Sequence, residues 1–321
     1  MKKMITRKDF MVSSTAFAAI SGCATAESVK AQPERGIRVR FLGSGAAGWK
    51  KAMSEKNPHM RRQSSVLLEG KVLIDFTPCS FDLMPQGCRP EVLFQTHSHG
   101  DHYNPNAAVK SGIKRMYVQE TWAAAAKRDI TKTAEALGLP APEVIALPFG
   151  QSVEECGLRI MGVPANHSTS RVTDGVLERP SLYLVEKDDA RLLYATDTGG
   201  IMGDAARMIG IDPHIRANNI DRYKSSRKYV HSPQAITALI MEATDGNLDE
   251  DFRLFVHSSV QTVARTAGML VKNERLILPP GQHVYITHLG IKYRGWPADK
   301  INAELPEMLR AAYDGLEVVL G

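Results

Sequence analysis

The stretch "LFQTHSHGDHYNP", residues 93–105, decides how this chain reads. An apolar run ends at Thr96, and the next six residues bring in His97, His99, Asp101 and His102. Imidazole and carboxylate are the ligand types of zinc, and of manganese or iron. Alternate residues leaving a strand point the same way, so His97 and His99 can share one ion. Asp101 and His102, on the following turn, can face a second. The plain alternative is a solvated polar turn, but three histidines clustered with a carboxylate rarely serve packing.

Working outward, apolar runs predict strands over 37–42, 65–69, 71–75, 91–96, 115–118, 143–147, 153–163, 182–187, 191–196, 236–242, 252–256, 283–287 and 315–320. Helical periodicity falls over 105–111, 120–137, 259–272 and 301–313. Strands 182–187 and 191–196 read as a hairpin across Asp188-Asp189. Such a mixture suits mixed sheets covered by helices rather than a doubly wound parallel sheet.

The pattern H-x-H-x-D-H in residues 97–102 resembles the signature of the metallo-β-lactamase superfamily, and the resemblance runs along nearly the whole mature length. It implies an α/β (α+β) fold, a four-layer αββα sandwich of two mixed sheets flanked by helices. It also implies further ligands at strand ends. Candidates stand in the right order: His167 in "PANHST", Asp197 in "LLYATDTGG" and His288 in "VYITHLG". By resemblance, His97, His99 and His167 would hold one divalent metal. Asp101, His102 and His288 would hold the other, with Asp197 bridging and Asp101 also serving catalysis. Zinc is the expected metal, with manganese or iron as alternatives. Singly, each downstream residue also reads as a strand-end cap.

"RFLGSGAAGW", residues 40–49, spells G-x-G-x-x-G through Gly43, Gly45 and Gly48. A dinucleotide site would need a helix next and a parallel strand after it. Instead residues 50–65 are polar and carry Pro58, and "SVLLE" and "KVLID" are parted only by Gly70, as in a hairpin. The glycines are expected to let backbone approach the metal site; a plain loop without substrate contact is the alternative.

Three finer resemblances point to the tRNase Z and cyclic phosphodiesterase branch. Residues 241–267 place a strand ending in an acid before His257-Ser258-Ser259; "RRQSSVLLEGKVLIDFTP" resembles the early hairpin and "AAYDGLEVVL" the closing elements. In that branch the extra histidine faces the scissile phosphate and protonates the leaving oxygen. His257, opening a helix, is the candidate, with Glu242 or Asp245 to orient it. Residues 207–231 are rich in Arg, Lys and Tyr and read as a solvated loop, or as a lid over an anionic substrate. His59, His214, His231 and His283 lack partners at ligand spacing.

The remaining features bound the function. A net charge of +5 over 321 residues is no nucleic-acid footprint, and no stable nucleic-acid partner is expected. Four cysteines without a C-x-x-C pair make neither a zinc finger nor a disulfide scaffold, though Cys79 and Cys88 could pair after export. Residues 1–35 read as an export signal and tether, leaving 36–321 as the hydrolase domain. "TRKDFMV" resembles a twin-arginine signal with Lys8 at the second arginine, and "ISGC" resembles a lipobox with cleavage before Cys23. A lipidated Cys23 would give membrane contact in the periplasm or cell envelope. The expected activity is phosphodiester hydrolysis on a small anionic substrate, with lactone or β-lactam hydrolysis as runner-up. RNA processing fits less well, because the 29 residues between His167 and Asp197 leave no room for a substrate-clamping arm. A non-catalytic binding protein fits the full ligand set poorly. The oligomeric state stays open, a dimer included.

Overall fold

A computed structural model describes residues 35–211, 234–248, 255–290 and 292–321. In chain order the first half holds β1 (Ile37–Gly43), α1 (Lys51–Lys56), β2 (Ser65–Leu68), β3 (Val72–Ile74), β4 (Val92–Phe94), α2 (Pro105–Lys110), β5 (Arg115–Gln119), α3 (Ala123–Leu137) and β6 (Glu143–Leu147). Next come β7 (Ser152–Glu155), β8 (Leu158–Pro164), β9 (Val172–Thr173), β10 (Val176–Leu177), β11 (Ser181–Lys187), β12 (Ala190–Ala195) and α4 (Gly203–Met208). Last are β13 (Ala238–Glu242), α5 (Val260–Lys272), β14 (Val284–Thr287), α6 (Ala298–Asn302), β15 (Leu309–Ala311) and β16 (Glu317–Leu320).

Two seven-stranded sheets form, ordered β16-β1-β2-β3-β4-β5-β6 and β15-β14-β13-β12-β11-β8-β7. Each is antiparallel on one side and parallel on the other, with β3 to β6 parallel in the first and β12 to β15 in the second. Strand alternation then sorts the apolar residues into three layers. Val39, Phe41, Val66, Ile74 and Phe94 meet Ile160, Tyr183, Val185, Tyr194 and Ile240 between the sheets. Their neighbours Leu67, Leu73, Leu93 and Met116 turn outward onto α2 and α3 through Val109, Trp122 and Ile130. On the far side Leu182, Leu184, Leu193 and Met241 pack on α4 and α5 through Ala205, Val263 and Leu270. The result is the αββα sandwich that the sequence resemblance implies.

Most sequence boundaries hold to within two residues, and the hairpin at 188–189 pairs Lys187 with Ala190. Four readings need correction. The run 153–163 is two strands, because Cys156 and Gly157 both take positive φ, 54° and 81°, and turn the chain between β7 and β8. The helix predicted over 301–313 is only the end of α6, after which Pro306 precludes helical continuation and Leu309–Ala311 joins the sheet. Helix 120–137 opens with a 3-10 turn, Glu120–Trp122. Phe255 and Val256 are not strand, and 252–254 lie outside the described residues. The short α1 buries none of its residues, which explains why it left no apolar stripe to read. The predicted export segment 1–35 falls almost wholly outside the described residues, as do positions 212–231 of the basic stretch, with His214 and His231. No described helix is long and apolar enough to cross a membrane.

Candidate metal centre

The parallel halves of the two sheets end side by side, and the candidate donors leave from those carboxyl ends. His97, His99, Asp101 and His102 follow β4, Asp197 follows β12, and His288 follows β14, while His167 comes from the loop after β8. Asp197 and His288 bend there with φ of 49° and 51°, a region unfavourable for branched residues and typical of functional turns.

The structure brings all seven together. His97, His99, His167 and Asp197 offer donor atoms within 4.8 Å of one another; so do Asp101, His102, Asp197 and His288. The two sets share Asp197. Its Oδ2 lies 3.2 Å from His97 Nε2, 3.1 Å from His102 Nε2 and 3.7 Å from His167 Nε2. Across the second set, His288 Nε2 stands 3.4 Å from Asp101 Oδ2 and 3.1 Å from His102 Nε2.

These residues fit a metal pair. Among the described residues, the buried His97 Nε2 and Asp197 Oδ1 make no hydrogen bond although Asp197 Oδ2 and His288 Nδ1 stand 3.2 and 3.1 Å from them, a crowding of donor atoms that a cation would resolve. The electrostatics agree. Burial pushes His97 down to about 3, so the ring is neutral, as a ligand must be. Burial alone would favour protonated Asp197, but His288 and His102 hold its carboxyl well below the usual range. Burial would also lower His102, yet Asp197, Asp101 and Asp75 together raise it well above the ordinary imidazole value. Asp197, Asp101 and Asp75 thus surround His102 with negative charge that a bound cation would neutralise.

Asp75 was not singled out in the sequence. It follows β3 with φ 54° and is wholly buried. Its Oδ2 accepts from His102 Nδ1 at 2.7 Å and from Thr96 Oγ1 at 2.8 Å, while Thr96 Oγ1 also lies 3.0 Å from His97 Nδ1. One carboxylate therefore orients a histidine of each set. The available signal was an apolar strand, "KVLID", ending in an acid as "LLYATD" does. Such outer partners typically contribute about 10- to 100-fold in metal affinity. Asp75→Ala should lose that much in a chelator competition while keeping the folded circular dichroism spectrum.

His257 sits beside the donors in a different setting. Ser259 caps α5 by accepting from Thr262 N at 3.2 Å, which fixes the turn that carries His257. His257 Nδ1 lies 3.0 Å from Glu242 Oε1 and 3.9 Å from Asp197 Oδ1. Glu242 is fully buried and also accepts from Thr198 N at 2.5 Å and from the Thr244 hydroxyl. The orienting acid is thus Glu242, with Asp245 adding its charge. Burial would lower His257, but the hydrogen bond and charge of Glu242 raise it to about 9.

A cavity of about 230 Å³ opens onto this cluster, lined by His99, His167, His257 and His288 and closed by Ala46, Ala47 and Arg294. The glycine loop forms that wall. Ala46 N donates to Leu289 O at 3.2 Å and Leu289 N to Ser44 O at 2.9 Å, which ties the loop to the residue after His288. A Cβ on Gly43 would stand 1.9 Å from Gln63 O, so its glycine is needed for chain crossing. Gly48, at φ 91°, leaves room for the Arg294 guanidinium, which donates to Ala47 O. Elsewhere, Cys79 and Cys88 are free thiols: Cys79 meets Thr77 and Cys88 meets Gly70 O. His59 is exposed and His283 partly so, both away from the cluster.

Comparison with known proteins is consistent with this geometry. A new diphosphatase of the PhnP family shares the fold at TM-score 0.53 and 19% identity, over 89% of this chain and 100% of that one. Zinc-bound PqqB from Methylobacterium extorquens aligns at TM-score 0.56 and 15% identity, over 88% and 99%. The short form of human tRNase Z gives 0.56 and 17%, over 88% and 99%. No curated protein sequence matches. The family profile described as "Beta-lactamase superfamily domain" matches residues 77–248, more than half the chain and the span holding every candidate donor except His288. With two mixed sheets, paired donor sets at their carboxyl ends and this match, the chain belongs to the beta-lactamase superfamily, as a metal-dependent hydrolase.

Proposed function

We propose that this hydrolase cleaves phosphodiesters, using two divalent metal ions, zinc by preference. His97, His99 and His167 would hold one ion, Asp101, His102 and His288 the other, and Asp197 both. Bound there, the pair would supply a water of pKa about 7 and a clamp for the phosphoryl oxygens. The observation that carries the reading is His257 on the cavity wall, bonded to the buried Glu242. Glu242 occupies Nδ1, so the ring presents Nε2 to the leaving oxygen as a proton donor. With its oxygens taken by Thr198, Thr244 and His257, Glu242 has little capacity left for a metal. Arg294 lines the same cavity and favours an anionic substrate.

A donor raised by a carboxylate is protonated below its pKa and lost as pH rises through it. Glu242→Gln removes the cause that raises His257. The alkaline limb of kcat/KM on an alkyl diester should therefore move to lower pH in that variant, with the acid limb unmoved. An unshifted alkaline limb would assign it to another group. The broader test is a side-by-side assay of the metal-loaded protein on a diester, a monoester, a β-lactam and a lactone. Turnover of the diester supports this reading; turnover of only the lactam or lactone replaces it with the runner-up.

The proposal extends to location. Exported and cleaved before Cys23, the chain would be held at the cell envelope by acyl groups on that cysteine, several of which anchor stably where one does not. Mass spectrometry of the native N-terminus should find acylated Cys23; a chain retaining Met1 in the cytoplasm would contradict it.

A further inference from the structure

Of the five candidate histidine donors, four have their second ring nitrogen held. Thr96 Oγ1 stands 3.0 Å from His97 Nδ1 and Asp75 Oδ2 2.7 Å from His102 Nδ1. Val256 O lies 3.0 Å from His167 Nδ1, and Thr244 Oγ1 2.7 Å from His288 Nδ1. A metal-binding imidazole is ordinarily fixed in this way. His99 is the exception. Among the described residues its ring makes one hydrogen-bonding contact, and that is with another donor: His167 Nε2 lies 3.3 Å from His99 Nδ1. The ring is only half-buried, and the exposed Gly100 follows it. Its aim must therefore come from the backbone.

Glu178 supplies that hold. It is only 3% exposed. Its Oε1 accepts from Ser98 N at 2.7 Å and its Oε2 from the Ser98 hydroxyl, so both oxygens serve the residue between His97 and His99. Glu178 is itself tied to the segment that follows His167. Its N donates to Arg171 O at 2.9 Å, and its O accepts from Thr169 Oγ1 at 3.3 Å. One buried carboxylate thus joins the loop after β4 to the loop after β8, the two stretches that carry His97, His99 and His167. Beyond the ring, His99 O accepts from His102 N and Tyr103 N at 3.0 and 2.8 Å. The chain is therefore gripped on both sides of His99, which orients a side chain whose ring has no outer partner.

We propose that Glu178 is a positioning residue for the ion held by His97, His99 and His167, and that it acts through His99. The inference rests on the two-ion reading above. The test is chelator competition on the full-length, zinc-loaded protein. Glu178→Ala should weaken one of the two ions by about 10- to 100-fold, the range for outer partners of metal ligands, and leave the other unchanged. Glu178→Gln keeps an acceptor for Ser98 N and should recover most of that affinity. Added to His99→Ala, the Glu178→Ala change should cost that ion nothing further, because its effect passes through the missing ring. Ser98→Ala removes only the hydroxyl bond; it should weaken the same ion to a smaller extent, and it carries the test if Glu178→Ala fails to fold. A role in packing alone would weaken both ions alike, be as severe in Glu178→Gln and add to the loss in His99→Ala. Any of those results overturns the proposal, as does unchanged affinity in both Glu178→Ala and Ser98→Ala. A wild type that holds a single ion refutes the two-ion reading instead. The proposal then stands if Glu178→Ala weakens that ion and falls if it does not.

Discussion

His257→Ala is expected to slow hydrolysis of an alkyl phosphodiester by about a hundred- to ten-thousand-fold, the usual contribution of a positioned general acid. A diester with a nitrophenolate leaving group needs little protonation and should lose far less. The contrast follows from geometry: His257 Nδ1 is bonded to a buried carboxylate while the ring lines the substrate cavity. Metal content should equal that of the wild type: His257 does stand in a third donor group with Asp197, Glu242 and His288, but Glu242 there is taken up by Thr198, Thr244 and the His257 ring itself. Equal losses on both substrates accompanied by metal loss would make His257 a ligand or a structural residue.

Asp197→Ala should have the other large effect, of the opposite kind. Two divalent ions are expected in the parent protein, about two equivalents by elemental analysis. Asp197 is the carboxylate within reach of His97, His102 and His167 through one oxygen and of His288 through the other, at 3.1 Å. Without it the two sets have no common donor. The variant should retain one equivalent or less and lose turnover on every substrate, regardless of leaving group. Retention of both metals with activity intact would refute the shared role. Measured together, the two variants separate proton transfer from metal binding.

The candidate donors themselves were legible because metal chemistry constrains residue type and spacing at once. Histidines at alternate positions leaving a strand, then an acid and a histidine on the turn, have few other uses. His167, Asp197 and His288 were readable only through resemblance, since each is a single polar residue after an apolar strand. Asp75 looks the same in sequence, at the end of "KVLID", and was passed over. Nothing local distinguishes a carboxylate that would bind a metal from one that would hold the histidines. Glu242 and Asp245 posed the same difficulty: both are acids near His257 in sequence, and only packing shows that Glu242 reaches the ring. The predicted helix over 301–313 failed for a related reason. Its apolar residues Ile301, Leu309 and Ala311 all bury, but in α6 and β15 rather than along one helical face.

The sequence by itself determined the strand and helix periodicities, the family signature at 97–102 and the order of the strand-end donors. These depend on neighbours along the chain, where side-chain direction is set by backbone geometry. Tertiary structure decided the rest. The union of the two donor sets on Asp197, the pairing of His257 with Glu242 and the seat of the glycine loop against Leu289 all join residues distant in sequence. The same holds for Arg61, an ordinary basic residue in "HMRRQSS" that is buried only when Gly45 and Arg294 close on it, leaving its Nε and Nη2 without a partner among the described residues. Burial and hydrogen-bond partners arise from folding the two sheets together, and no local pattern encodes them.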